Sequence, residues 1–372
     1  MTECRLGAAG RARLLRRVLA IPATAFILLP LLFGIDEQAG AVGLGLAVFD
    51  VHPLLGPQTG WIVLFLSACY ARSAMAATVL LYDAYSLIYR AFYAIRFLSG
   101  PDGQPVNAIY GLAKMLQKMA ADHTPSHHAA VFDLGQPRKR LTLLPSYKAQ
   151  RPPTPPDLDR QLPVIRDMLE AMRVPLVEAE GEEADDIIAT LATRAARADH
   201  QVLIASNDKD FMQLVGSRIH LLRPDSKEST IIDPDGVRKR YGVSPEQMVD
   251  FLSLLGDSVD NIPGAPGVGE KTAAQLLQSY GTLDNLLAHV AEITKPKLRD
   301  SLVASAERLQ TNRQLIRLQA DLPLSVDLED LKAKAPDATA LAAIYRRCGF
   351  KSLLARLENP CLSGQADLFA GK

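Results

Sequence analysis

Acidic residues that close short apolar runs are the first feature with chemical content. Asp83 ends Thr78-Val-Leu-Leu-Tyr-Asp, Asp133 ends Ala129-Ala-Val-Phe-Asp, and Asp208 follows Gln201-Val-Leu-Ile-Ala-Ser-Asn, with Asp210 two residues on. Further acids stand in Glu182-Glu183-Ala-Asp185-Asp186 and in Gly256-Asp257-Ser-Val-Asp260-Asn. Each has an ordinary structural explanation, because an Asp after a strand caps the next helix and acids in a first helical turn complement its dipole. Gathered into one crevice, however, they would repel one another unless a cation neutralised them. Hard oxygen donors without Cys or His suit Mg²⁺ or Mn²⁺. Cys4, Cys69, Cys348 and Cys361 form no CxxC pair and read as reduced. The seven scattered histidines suggest no Ser–His or Cys–His nucleophile.

The apolar runs are short and rich in β-branched or aromatic residues, and stretches of helical periodicity, such as 106–121 and 157–172, separate them. This alternation predicts an α/β domain over 76–232 with a mostly parallel central sheet flanked by helices. Ligands of such sheets bind at the carboxyl ends of the strands, where Asp83, Asp133 and Asp208 would meet. From 233 to 358 short helices punctuated by Gly and Pro, without clear strands, predict a helical subdomain, and 359–372 reads as a flexible tail.

The first 75 residues differ in character. Five arginines up to Arg17 precede an apolar run over 18–35 broken by Pro22 and Pro30, and a second apolar stretch over 60–70 holds Trp61. The segment has the outline of a signal or anchor, or is an extension upstream of a natural start at Met75; the second reading is preferred, and no chemistry is evident in it.

Charge balances at 41 basic and 41 acidic residues, so a nucleic-acid partner would require basic residues concentrated locally. Between Asp133 and Asp157 there is no acid, while Arg138, Lys139, Arg140, Lys148 and Arg151 supply five positive charges before a Pro-rich exit. A solvated basic loop or an electrostatic funnel for a single strand would both look like this. A second feature, Gly264-Ala-Pro-Gly267-Val-Gly269-Glu-Lys271-Thr272, leads into a helix expected from Ala273 to Ser279, and backbone N–H groups at such a start bind phosphate. It is not a Walker A loop, since Glu270 separates Gly269 from Lys271 and no strand precedes it.

Taken in order, Tyr-Asp83-Ala-Tyr-Ser-Leu-Ile-Tyr-Arg90, Val-Phe-Asp133, Glu183-Ala-Asp-Asp186, Asn-Asp208-Lys-Asp210 and Gly-Asp257-Ser-Val-Asp260-Asn resemble the successive metal-site motifs of the bacterial 5′-nuclease and flap endonuclease family, which includes the 5′→3′ exonuclease domain of DNA polymerase I. The likeness runs over 78–358. It implies a PIN-like 5′-nuclease fold with a C-terminal helix-hairpin-helix subdomain, and structure-specific 5′→3′ hydrolysis of DNA phosphodiesters in replication or repair. Two or more Mg²⁺ (or Mn²⁺) ions would be held by Asp83, Asp133, Glu183, Asp185, Asp186, Asp208, Asp210, Asp257 and Asp260.

The same resemblance makes 134–156 an arch for a free 5′ strand, with Ser-Tyr147-Lys148-Ala-Gln-Arg151 similar to its Tyr-Lys-x-x-Arg motif. Arg138, Arg140, Tyr147 and Arg151 would then contact DNA, and Lys148 and Arg90 the scissile phosphate. Gly267, Gly269, Lys271 and Thr272 would grip duplex backbone at the helix-hairpin-helix, with K⁺ alongside. Gln365, Leu368 and Phe369 resemble the peptide by which replication proteins dock on the sliding clamp. The chain departs from the family pattern at Tyr82, Ala84 and Glu182. The overall expectation is a monomeric, free-standing, cytoplasmic nuclease acting on DNA 5′ ends or flaps, without membrane association. A PIN-like RNase and a non-catalytic module for branched DNA are the alternatives.

Overall fold

The computed structural model describes residues 77–225 and 229–358. The first 75 residues, the tail with Gln365, Leu368 and Phe369, and Cys4, Cys69 and Cys361 lie outside the described residues. Among those described, no helix is long and apolar enough to cross a membrane.

Six strands form the main sheet: β1 (Thr78–Asp83), β2 (His127–Val131), β3 (Leu176–Val177), β4 (Gln201–Ala205), β5 (Ile219–Arg223) and β6 (Thr230–Ile232). Their order is β3-β2-β1-β4-β5-β6, and all pairs are parallel except β5 with β6. The sheet therefore reverses its winding at β1, whose neighbours are β2 on one side and β4 on the other. At such a switch point the loops leaving adjacent strands diverge to opposite faces and open a crevice at the carboxyl ends. Asp83 is the last residue of β1, and Tyr82 pairs with Ala205, so the chain leaving β4 passes directly beside Asp83.

Alternation of side chains sends Val79, Leu81, Ala129 and Val131 to one face and Leu80, Tyr82, Ala130 and Phe132 to the other, each into its own buried cluster. The second face packs on α1 (Ala84–Ala94), α2 (Asn107–His123) and, after α3 (Arg138–Leu143) and α4 (Pro156–Asp159), on α5 (Leu162–Ala171). The first face packs on α6 (Ala184–Arg197) and the helices that follow the sheet. These are α7 (Pro234–Tyr241), α8 (Met248–Leu255), α9 (Glu270–Tyr280), α10 (Leu283–Ala288) and α11 (Pro296–Ile316). The last pair, α12 (Ala338–Cys348) and α13 (Lys351–Glu358), returns to the opposite face, where Leu341, Tyr345, Phe350 and Leu353 join the cluster of α1, α2 and α5.

Several expectations need adjustment. The helix expected over 157–172 is two helices, with Pro163 in the first turn of the second, where its missing N–H costs nothing. Strands β3, β5 and β6 were not anticipated. The region after 233, read as strandless, contains a two-stranded pair of β7 (Gly256–Asp257) and β8 (Ile262–Pro263). Helix α9 begins at Glu270 with Gly269 as its N-cap, so Lys271 and Thr272 belong to the first helical turn rather than to the loop.

Candidate active site

The ordinary explanations for the strand-end acids hold locally. Asp83 caps α1, accepting from the Ser86 N–H at 3.3 Å, and Asp133 accepts from the Ala184 N–H at 2.8 Å where α6 begins. Yet both carboxylates stand in one crevice with others. Ser206, beside Asp83 by strand register, donates to it at 2.6 Å and accepts from the Asp208 N–H at 3.0 Å, tying the β1 and β4 ends together. Asp208 accepts from the Asp210 N–H at 2.9 Å. Ser206 is a site residue that sequence reasoning missed; its place directly before Asn-Asp-Lys-Asp was the available signal.

Electrostatics show the convergence. Burial, aided by the charges of Asp208 and Asp133, pushes the Asp83 carboxyl up to about 7 against the opposing Ser206 hydrogen bond. Asp185 and Asp210 are held well above the usual carboxylate range, first by burial and then by the Asp208 charge. Asp208 is raised by burial and by Asp260 and Asp257, while the Asp210 N–H pulls it back. Asp257 and Asp260 reach the crevice because the chain between β7 and β8 turns sharply there, with Asn261 in the left-handed region.

The basic segment enters from above. Lys148 pairs with Glu183, and Tyr147 donates its phenol to Asp260 at 3.1 Å and to Glu183 at 3.3 Å. Arg151 pairs with Asp260 at 2.7 Å, and the Lys148 N–H donates to the Asp260 carbonyl at 3.1 Å. Burial alone would lower the Lys148 ammonium, but Glu183 with Asp260 and Asp185 outweighs it and raises the pKa. Burial and the same acids push the Tyr147 phenol up, so it stays a donor. Lys209, also unanticipated, pairs with Asp257 at 2.9 Å. Arg90, on α1, reaches the Asn207 side chain and Asp225, each at 3.5 Å.

Arg140, expected on the DNA side of the arch, is instead buried against Glu183 and Asp186. Arg138 is exposed and lies 3.8 Å from Glu180. The departures from the family pattern also find their places. Tyr82 points away from the crevice into the second core, Ala84 is buried as the first residue of α1, and Glu182 lies 4.0 Å from Lys139. Gly267 and Gly269 stand apart from this cluster in the turn before α9, exposed, with open space where a Cβ would be.

Among the described residues, no group of three or more His, Cys, Asp or Glu side chains is arranged to hold a metal ion. Like charges gain nothing from closer approach without a cation. In kind, the donors fit a hard divalent ion. They are all carboxylates, and among the described residues Asp83, Asp185 and Asp210 have no ion-pair partner.

Two family models match in tandem: the 5′-3′ exonuclease N-terminal resolvase-like domain over residues 78–242, and the 5′-3′ exonuclease C-terminal SAM fold over residues 243–339. The chain belongs to the 5′-3′ exonuclease family. DNA polymerase I of Bacillus caldotenax is 38% identical over 291 residues, covering 77% of this chain and 33% of that protein. The thermostable DNA polymerase I of Thermus thermophilus is 40% identical over 276 residues, covering 74% and 32%. The chain thus spans about a third of the length of these curated relatives. In three dimensions it matches T5 5′-exonuclease bound to zinc, at TM-score 0.56 and 21% identity over 77% of this chain and 98% of that one. It also matches the catalytic core of Rad2 in complex with DNA substrate, at TM-score 0.53 and 18% identity over 77% and 93%. The 5′-3′ exonuclease fold, a mostly parallel sheet flanked by helices with a C-terminal SAM fold, is therefore the fold of this chain.

Proposed function

We propose that the chain is a divalent-metal-dependent nuclease that hydrolyses DNA at 5′ ends or flaps. The observation that carries this reading is the meeting, at the switch point of the sheet, of carboxylates from the ends of β1, β2 and β4, the start of α6 and the β7–β8 turn with an overhanging cationic segment. That arrangement offers a seat for cations below and for phosphate above.

Asp83, Asp133, Asp185, Asp208 and Asp210 would hold Mg²⁺ or Mn²⁺, with Glu183, Asp257 and Asp260 at the margin facing the arch. A divalent ion so held supplies Lewis-acid charge for phosphodiester hydrolysis. Lys148, half buried and fully charged, leaves Glu183 to meet a phosphate oxygen, and Arg90 approaches from α1. Tyr147 and Arg151 shape the passage for a single strand, which fits stacking and backbone contact without sequence readout. The turn at Gly267 and Gly269, followed by Lys271 in the first turn of α9, presents backbone N–H groups to duplex phosphates. The T5 and Rad2 structures, with their bound zinc and DNA, support the same reading.

Three substrates separate this reading from an RNase or a binding module: a 5′-flap DNA duplex, the same flap with its 5′ end blocked by biotin–streptavidin, and a single-stranded RNA of equal sequence. The free flap is expected to be cut near the junction, the blocked flap much more slowly, and the RNA least. RNA cut faster than the flap, or a flap bound and never cut, would contradict it.

A further inference from the structure

Asp186 and Arg140 stand out because every polar atom of each is already used. The Arg140 Nε donates to the Leu315 carbonyl at 2.8 Å, Nη1 donates to Glu183 Oε2 and Asp186 Oδ2 at 2.5 Å each, and Nη2 donates to Asp186 Oδ1 at 3.0 Å. Asp186 Oδ1 also accepts from the Gln319 N–H at 2.8 Å. The Arg140 side chain is 8% exposed and that of Asp186 1%. A guanidinium fork on a carboxylate is a charge-assisted, bidentate contact, and in such burial neither partner can be withdrawn without leaving the other's charge uncompensated.

The pair joins three elements. Arg140 belongs to α3 at the root of the basic segment, Asp186 to the first turn of α6, and Leu315 and Gln319 to the end of α11 and the chain just after it. Next to it, the Leu134 carbonyl accepts from the Gly181 N–H at 2.8 Å, closing the same root onto the segment that opens α6. Through Nη1 the strut also fixes Oε2 of Glu183 and leaves Oε1 to Lys148, while the Tyr147 phenol lies within reach of both oxygens.

Resting on the metal-dependent reading above, we propose that Asp186 is not a metal ligand but a positioning residue. With Arg140 it forms a metal-independent strut that anchors the arch root and orients Glu183. Among the described residues Asp186 is the one acid of the crevice whose charge is cancelled by bidentate contact with a buried arginine, whereas Asp185, its neighbour in sequence, has no ion pair.

The two roles give opposite signs when each acid is neutralised in the absence of metal. In the full chain with EDTA, Asp185→Asn removes a repelling charge, so its thermal midpoint is expected to equal or exceed that of the unaltered chain, and the rise on adding Mn²⁺ is expected to disappear. Asp186→Asn leaves Arg140 buried without its counter-charge. Its midpoint in EDTA is expected to fall by roughly 10 °C, while the Mn²⁺-induced rise persists. Well below that midpoint, the metal-free variant is expected to be nicked by protease within 134–156 faster than the unaltered chain.

Arg140→Lys, which keeps the charge and loses the fork, provides the second variant should Asp186→Asn not fold. It is expected to show a lowered midpoint in EDTA with the Mn²⁺ rise retained, whereas an unchanged midpoint would overturn the strut. An Asp186→Asn chain that is as stable as the unaltered one in EDTA and has lost the Mn²⁺ rise would make Asp186 a ligand and overturn the proposal. An unaltered chain with no Mn²⁺-induced rise would overturn the metal reading itself.

Discussion

Asp83 shows how one residue serves two purposes. It caps α1 and stands at the head of the crevice, with its carboxyl pushed up to about 7 by burial. An unfolded Asp titrates near 3.9, so between about 4 and about 7 the folded, metal-free protein holds a proton that the unfolded chain has lost. Metal-free stability is therefore expected to fall as pH rises across that window and then to level off. Because a cation must displace the same proton, Mn²⁺ affinity is expected to rise with pH through about 7. Calorimetric titration from pH 5.5 to 8 checks this, and a flat profile would count against the assignment. On the proposed role of Lys148 at the phosphate, Lys148→Ala is expected to cost on the order of 10²–10³-fold in kcat, measured on a flap duplex with folding monitored by circular dichroism.

The acids at strand ends and at the start of α6 were visible in the sequence, but each also had a reading as a cap or first-turn acid, and only the resemblance to a family joined the nine into one set. What each carboxylate contacts was not visible there. Nothing in Arg138-Lys-Arg140 says that the third cation turns inward while the first stays in solvent; that depends on Leu315 and Gln319, more than 170 residues away.

Between β7 and β8, element geometry decides where Asp257 and Asp260 point. Gly256 and Gly264 face each other where two backbones touch. A Cβ on Gly264 would lie 2.1 Å from the Leu255 carbonyl oxygen, and Gly256 has φ +73°. Asn312 of α11 seals the crossing by donating to the Ser253 carbonyl at 3.1 Å and the Pro263 carbonyl at 2.9 Å. Backbone against backbone cannot yield as a flexible side chain can, so Gly264→Ala is expected to cost about 3 kcal/mol or more, read by chemical denaturation. Gly267, at φ +80° with open space around it, carries only the strain of a left-handed residue, about 1 kcal/mol on substitution by Ala. Strand β1 was readable to the residue because it is long and apolar. Strands β3 and β7 are two residues each and carry no period to detect.

Among the described residues, the last two helices pack back onto the part of the fold that comes first in the chain. Residues from 340 onward lie beyond the match to the C-terminal family model, yet α12 and α13 return to the α/β layer that the chain built first. Tyr345 is fully buried and accepts from Gln117 of α2 at 3.0 Å, and Phe350 meets Tyr110 at 5.1 Å between ring centroids. Tyr345→Ala is expected to destabilise the protein by about 3–5 kcal/mol, with the loss felt in α2 by hydrogen exchange although the substitution lies 228 residues downstream of its partner. Fold class was legible from the alternation of strands and helices. This return was not, because a surface helix advertises an apolar face without naming what covers it.

The most direct test of the account is cleavage of a 5′-end-labelled flap duplex by the purified chain, with Mg²⁺ or with EDTA. The account predicts a short labelled product released near the junction in Mg²⁺, none in EDTA, and none in Mg²⁺ from Asp185→Asn. An intact flap at every Mg²⁺ and Mn²⁺ concentration, from a chain that binds the duplex, would contradict it.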